Sequence, residues 1–203
     1  MNPNRLPPQF KAVATQFAVN LAGVQEAFWQ PFWDLQTYAA AGQTLLTFFQ
    51  NPTGAGGRTY FDTNMQAAGS FPAMQNYIVT QLEIEFLPGA TTAQAAYVTD
   101  QLAVQTSGYV ELNIGSKNFL RDSPVGAFPP KHRLDVFAVN DASAAPTVFR
   151  YAQNRGEIAN ITPMLIPSLQ NFNVTLNWAA AVPVSANGTI RVKMGGFLFR
   201  TAQ

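Results

Sequence analysis

The sequence predicts an all-β fold: a single eight-stranded antiparallel jelly-roll sandwich preceded by an N-terminal amphipathic α-helix. Three observations carry this expectation. Stretches of strict two-residue alternation recur along the chain, best seen in QNFNVTLNW, where Phe172, Val174, Leu176 and Trp178 alternate with Asn171, Asn173, Thr175 and Asn177. Gly, Pro, Asn and Asp punctuate these stretches at short intervals, as expected of antiparallel strands joined by turns. With 203 residues, one core burying roughly 70% of the unfolded surface is feasible; no Ser/Gly tract, charge block or internal repeat marks a second domain.

Taken in order, Phe10, Val13, Phe17, Leu21, Val24 and Phe28 fall at spacings of three and four, the mark of a helix with one apolar stripe. Lys11, Gln16, Asn20, Gln25 and Glu26 occupy the other face. Pro31 should end this helix, leaving Trp29, Phe32 and Trp33 as an aromatic cluster. The expected organisation is a helical arm over residues 1–43 and a sandwich over 44–203. The stripe, with Trp29 and Trp33, is expected to face either a protein surface or lipid, with protein favoured because Lys and Arg are scarce beside it.

Thr44 to Gln50 is short, apolar and β-prone. The glycine-rich NPTGAGGRTYFD that follows superficially matches a phosphate loop, but lacks its spacing and lysine; a surface or subunit-contact loop is expected instead. Ile78, Thr80, Leu82, Ile84 and Phe86 alternate with Val79, Gln81, Glu83 and Glu85 and stop at Pro88-Gly89. A short helix is expected within Thr91 to Gln105. Strands then follow around Val110 to Ile114, Asn118 to Arg121, Leu134 to Val139, Thr147 to Tyr151 and Ile161 to Ile166. A final strand, turn and strand span Gln170 to Arg200, with Ile190, Val192 and Met194 alternating with Arg191 and Lys193. About eight turn-punctuated strands point to two packed antiparallel sheets, whose eight-stranded version is the jelly roll.

Charged residues make up 11% of the chain, against about 25% in ordinary soluble proteins. Asn, Gln, Thr and Ser fill the gap, giving a surface that is polar but weakly ionic. Desolvating amides that find partners costs less than desolvating ions, so this surface suits repeated protein contacts. A net charge of +1, with Lys131-His132-Arg133 the densest basic run, argues against a nucleic-acid binder. The chain holds no cysteine, which removes disulfides, thiolate metal sites and cysteine nucleophiles. MNPNRLPPQF has no signal-peptide core, and no apolar run approaches about 18 residues, so neither export by that route nor a membrane span is expected.

Chemistry finds little support in the residues. Glu83 and Glu85 share a strand face, roughly 6 to 7 Å apart from the strand rise, near the separation of an inverting glycosidase; alternating acids on a solvated face have the same spacing, and no aromatic sugar platform is tied to them in sequence. His132, the only histidine, lies in a loop-like stretch between two cations and reads as solvated. Asp62-Thr63-Asn64 is far short of a calcium shell. Three Asn-X-Thr triplets, at Asn160, Asn173 and Asn187, mean little in an Asn- and Thr-rich chain. No enzyme activity, metal or cofactor is expected.

The sequence of features, an apolar N-terminal helix and then LEIEFLPG, GYVELNIGSKNFLRDSP, QNFNVTLNW and TIRVKMGGFLFR, resembles the jelly-roll capsid proteins of tailless icosahedral phages, the lineage that includes tectivirus-like and adenovirus-like viruses. The likeness covers the pattern from Thr44 to Arg200. It implies upright sandwiches assembled into trimeric or pseudo-hexameric capsomers with other capsid proteins, often over an internal virion membrane, with N-terminal segments on the inner side. Many members carry two rolls per chain, and this length holds one, which implies a single-roll major, minor or vertex component of the virion. The alternative is a receptor- or glycan-binding jelly-roll module, which would expose aromatics around one end of the sandwich.

Overall fold

The computed structural model describes residues 8–17, 19, 26–89, 95–130, 132–139, 148–155 and 159–200. In chain order the elements are α1 (Pro8–Gln16), β1 (Glu26–Trp29), β2 (Phe32–Tyr38), β3 (Leu45–Phe48), β4 (Gln75–Leu87), α2 (Ala95–Ser107), β5 (Gly108–Ile114), β6 (Lys117–Pro124), β7 (His132–Val139), β8 (Val148–Arg155), β9 (Asn160–Ile166), β10 (Phe172–Trp178) and β11 (Gly188–Arg200). The fold is all-β with an N-terminal helix, as the alternation predicts.

Two antiparallel sheets share the core. In the five-stranded sheet, β11 is flanked by β4 on one side and by β1 and β2, laid end to end, on the other; β9 lies beyond β4. Between β1 and β2 the edge breaks at Gln30-Pro31, where proline has no N–H to give, and the Gln30 amide still reaches the Gly196 carbonyl at 2.9 Å. The four-stranded sheet runs β3-β10-β5-β6. A separate hairpin pairs β7 with β8.

Alternation explains the shared core. Phe172, Val174, Leu176 and Trp178 are all buried, as are their cross-strand neighbours Val110, Leu112 and Ile114. From the other sheet, Ile190, Val192 and Met194 of β11 and Leu82, Ile84 and Phe86 of β4 meet them. An aromatic edge bridges the layers: the Tyr38 ring lies 5.3 Å from Trp178 of the other sheet and 5.5 Å from Phe86 of its own, the edge-to-face geometry that ring quadrupoles favour. One end of the sandwich is closed by α2, where the Trp178 indole donates to the Val104 carbonyl at 3.2 Å.

Four expectations are corrected. The N-terminal helix ends at Gln16; Phe28, Trp29 and Trp33 lie on β1 and β2, and Leu21 and Val24 fall outside the described residues. Pairing of Ala27 to Trp29 with Phe197 to Phe199 of β11 overrides a local three-and-four spacing, because aromatic residues suit a pleated surface at least as well as a helix. The boundary at residue 43 goes with it, since Phe32 and Tyr38 belong to the core. The described residues hold eleven strands where about eight were expected, the excess being the break between β1 and β2 and the separate β7-β8 pair. Finally, β10 and β11 are no hairpin: they belong to opposite sheets, and the segment between them crosses from one layer to the other.

Candidate functional site

The outer face of the five-stranded sheet is divided by a β-bulge. On β11 the outward residues keep one parity, through Arg191, Lys193, Gly195, Phe197 and Phe199. On β4 one extra residue, Thr80, enters where Gly195 pairs with Gln81 and Gly196 with Val79, and its hydroxyl donates to the Gly195 carbonyl at 3.2 Å. An inserted residue reverses the facing of everything beyond it. Glu83 and Glu85 point outward with Gln81, while past the bulge Ile78 takes the outer face and Tyr77 and Val79 join the core. The sequence reading of Ile78 and Thr80 as core partners of Leu82 is corrected accordingly.

Beyond the bulge the outer face is apolar and covered. Helix α1 lays Phe10 and Ala14 on Ile78 and Phe199, with Val13, Phe17, Ala27, Leu165 and Phe197 packed around them. The Phe10 ring meets Phe197 edge-on at 5.1 Å. What survives of the expected stripe is therefore turned onto the chain's own sheet, and Trp29, on β1, is 46% exposed.

Before the bulge the outer face is ionic and open. Trp33, Lys193 and Glu83 form one row across β2, β11 and β4, and Leu35, Arg191 and Glu85 form the next. Lys193 pairs with Glu83 at 3.2 Å and Arg191 with Glu85, so each of the two carboxylates has a cation across the ladder. A groove of about 370 Å³ lies over these pairs, walled by Pro31, Trp33, Tyr60, Phe61 and Pro130. Tyr60 and Phe61 are 74% and 72% exposed. The aromatic surface that the sequence did not tie to Glu83 and Glu85 is thus present beside them, delivered by the glycine-rich loop.

That loop is held by a buried ion pair. Asp34 of β2 is fully buried and binds Arg58, while the Phe49 backbone amide donates to its Oδ2 at 2.6 Å and the Gln36 side-chain Nε2 at 3.1 Å. The Arg58 guanidinium also donates to the carbonyls of Leu35 at 2.7 Å and Asp62 at 3.2 Å. Phe49 adopts a φ of 68°, a conformation that costs a bulky residue on the order of 1–3 kcal/mol and that the bond to Asp34 helps to hold. Burial raises the Asp34 carboxyl above its ordinary value, opposed by the Phe49 amide and the Arg58 charge. Asp62 is lowered, because the Thr59 amide and hydroxyl both donate to it. Trp33 joins loop to sheet: its indole donates to the Tyr60 carbonyl at 3.2 Å and its amide to Asn64 Oδ1 at 3.0 Å.

The structure thus brings Trp33, Glu83 and Glu85 together and leaves Phe10, Val13 and Phe17 on the helix-covered half. Asp34, Arg58, Tyr60 and Phe61 escaped the sequence reading. One signal was available: a lone acid inside the aromatic strand FWDLQTY is costly to bury without a cation, and Arg58 is the nearest one downstream. Arg58 is spent on Asp34, which removes it from any phosphate role, and Asp62 is spent on its own loop. His132 opens β7, opposite Arg155, rather than lying in a loop. Among the described residues no three His, Cys, Asp or Glu side chains gather into a metal site, and no helix is long and apolar enough to cross a membrane. Comparison with protein-family models finds no match to this chain, and comparison with curated proteins finds none either.

Proposed function

We propose that the chain is a virion structural protein, a single jelly roll that self-assembles into capsomers of an icosahedral shell. The observation that carries this reading is the strand order. Taking β1 and β2 as halves of one broken edge strand, and β7-β8 as an inserted hairpin between β6 and β9, eight strands remain. Numbered in sequence they run 1-8-3-6 in one sheet and 2-7-4-5 in the other. In that order each of the first three strands feeds the opposite sheet, as in a ribbon wound twice around a barrel, the arrangement of a jelly roll.

Fold alone does not give function; the surface supplies the rest. A chain with 11% charged residues loses little on desolvating its flanks, and the exposed Trp29, Leu45, Phe119 and Leu169 offer apolar anchors for contacts repeated in every copy. The partners are copies of the chain, as trimers or pseudo-hexamers, together with other capsid proteins and, through the inner surface, a virion membrane. The test is the mass of the purified protein across a concentration series, with electron microscopy of the product. Closed oligomers or shells support the proposal, and a monomer throughout refutes it.

A further inference from the structure

We propose that the groove beside Trp33, Tyr60 and Phe61 binds carbohydrate, specifically a short neutral saccharide seated over the two ion-pair rows of β4 and β11. This goes beyond the assembly reading and does not rest on it. At about 370 Å³ the groove lies at the lower end of the size range of small-molecule sites, about 300–1,000 Å³. Its two kinds of wall match the two kinds of surface on a sugar ring. The pyranose C–H face is apolar with a slight positive polarisation, and it stacks on the electron-rich face of an aromatic ring. The hydroxyl edge needs fixed donors and acceptors, and finds carboxylates at Glu83 and Glu85 beside cations at Lys193 and Arg191. Because each charge is held by its partner across the strands, little ordering remains to be done when a ligand arrives.

Other ligand classes fit less well. Among the described residues that line the groove two acids and two bases balance, so a phosphorylated or polyanionic ligand meets no surplus of cations from them. A wholly apolar ligand would strip water from four ionised groups without replacing their hydrogen bonds. Both loop aromatics stand about three-quarters exposed on a loop fastened by the buried Asp34–Arg58 pair, a placement that serves a ligand better than it serves the core.

The test is titration of the full chain with maltose, cellobiose, lactose and chitobiose, read by tryptophan fluorescence and by saturation-transfer NMR. Saturable binding to at least one of them is expected, little changed by added salt because the ligand is neutral. Tyr60→Ala and Phe61→Ala should each weaken it by roughly tenfold, the effect of losing one aromatic stacking partner. Both side chains are largely in solvent, so unchanged melting curves will separate lost binding from lost folding. Phe119→Ala, an exposed aromatic on β6, should bind as the native chain does. No saturable binding to any of the four sugars overturns the proposal, as does undiminished affinity in the Tyr60→Ala, Phe61→Ala double variant, preferential binding of inorganic phosphate, or the finding that the groove is sealed by a second copy of the chain.

Discussion

The two halves of the outer face of the five-stranded sheet are built on the same strands and end in opposite conditions. Past the Thr80 bulge, β4 and β11 present Ile78, Phe197 and Phe199, and the chain spends α1 on covering them. Before it, the same strands present Glu83, Glu85, Arg191 and Lys193 under a groove that no element of the described chain fills. One inserted residue separates a face covered by α1 from a face that the described residues leave open. The closed half should therefore carry stability and the open half little of it, and substitutions can hold the two against each other.

The largest effect is expected at the seam. A Cβ on Gly196 would lie 2.1 Å from the Ile78 carbonyl and 2.9 Å from the Tyr77 ring, and the backbone of a paired strand cannot retreat. Gly196→Val should cost upward of about 3 kcal/mol, seen as loss of soluble, cooperatively melting protein; a native-like melt would mean that the bulge is not where the face changes. Phe199→Ala, in the closed half, removes a fully buried ring and should cost about 3–5 kcal/mol in urea denaturation.

Asp34→Asn probes the fastening of the open half. Leaving the Arg58 guanidinium without its counter-charge should cost about 3 kcal/mol and loosen the loop bearing Tyr60 and Phe61, as faster amide exchange there would report. The variant also has a pH signature. Burial makes the folded carboxyl hold its proton more tightly than the unfolded chain does, so through the window above about pH 4 the native state binds more protons and stability falls as pH rises. Asp34→Asn should remove that slope. Asp62 carries the opposite sign: its lowered value adds stability that is present above the ordinary carboxylate range and lost as pH falls through the folded value, a dependence that Asp62→Asn should abolish.

The smallest effect belongs to the ladder. Arg191 is 41% and Glu85 16% exposed in their side chains, and Arg191→Gln should shift stability by no more than about 1 kcal/mol, less at high salt. A loss comparable to that of Phe199→Ala would erase the contrast between the halves.

What the sequence revealed follows the range of the forces involved. Strand faces in β5, β10 and β11 were legible because a two-residue period is a local property of pleated backbone facing one core. Strand partners were not: nothing within QNFNVTLNWAAAVPVSANGTIRVKM says that β10 and β11 enter different layers, since partnership is settled by residues far along the chain. The place of Phe28 in a helical stripe was misread for the same reason, since that residue is claimed by β11. The bulge escaped because Ile78 and Val79 are both apolar, so either facing satisfies the pattern. Of the groove, Glu83, Glu85 and Trp33 were visible, whereas Tyr60 and Phe61 reach it only because Arg58 turns inward to a buried acid.

The central claim is that this sandwich exists to meet other copies of itself, and the molecular mass of the purified chain at high concentration tests it most directly. Analytical ultracentrifugation or mass photometry should find a discrete trimer, hexamer or larger closed particle whose population grows with concentration. A single monomeric species over the whole range would contradict it.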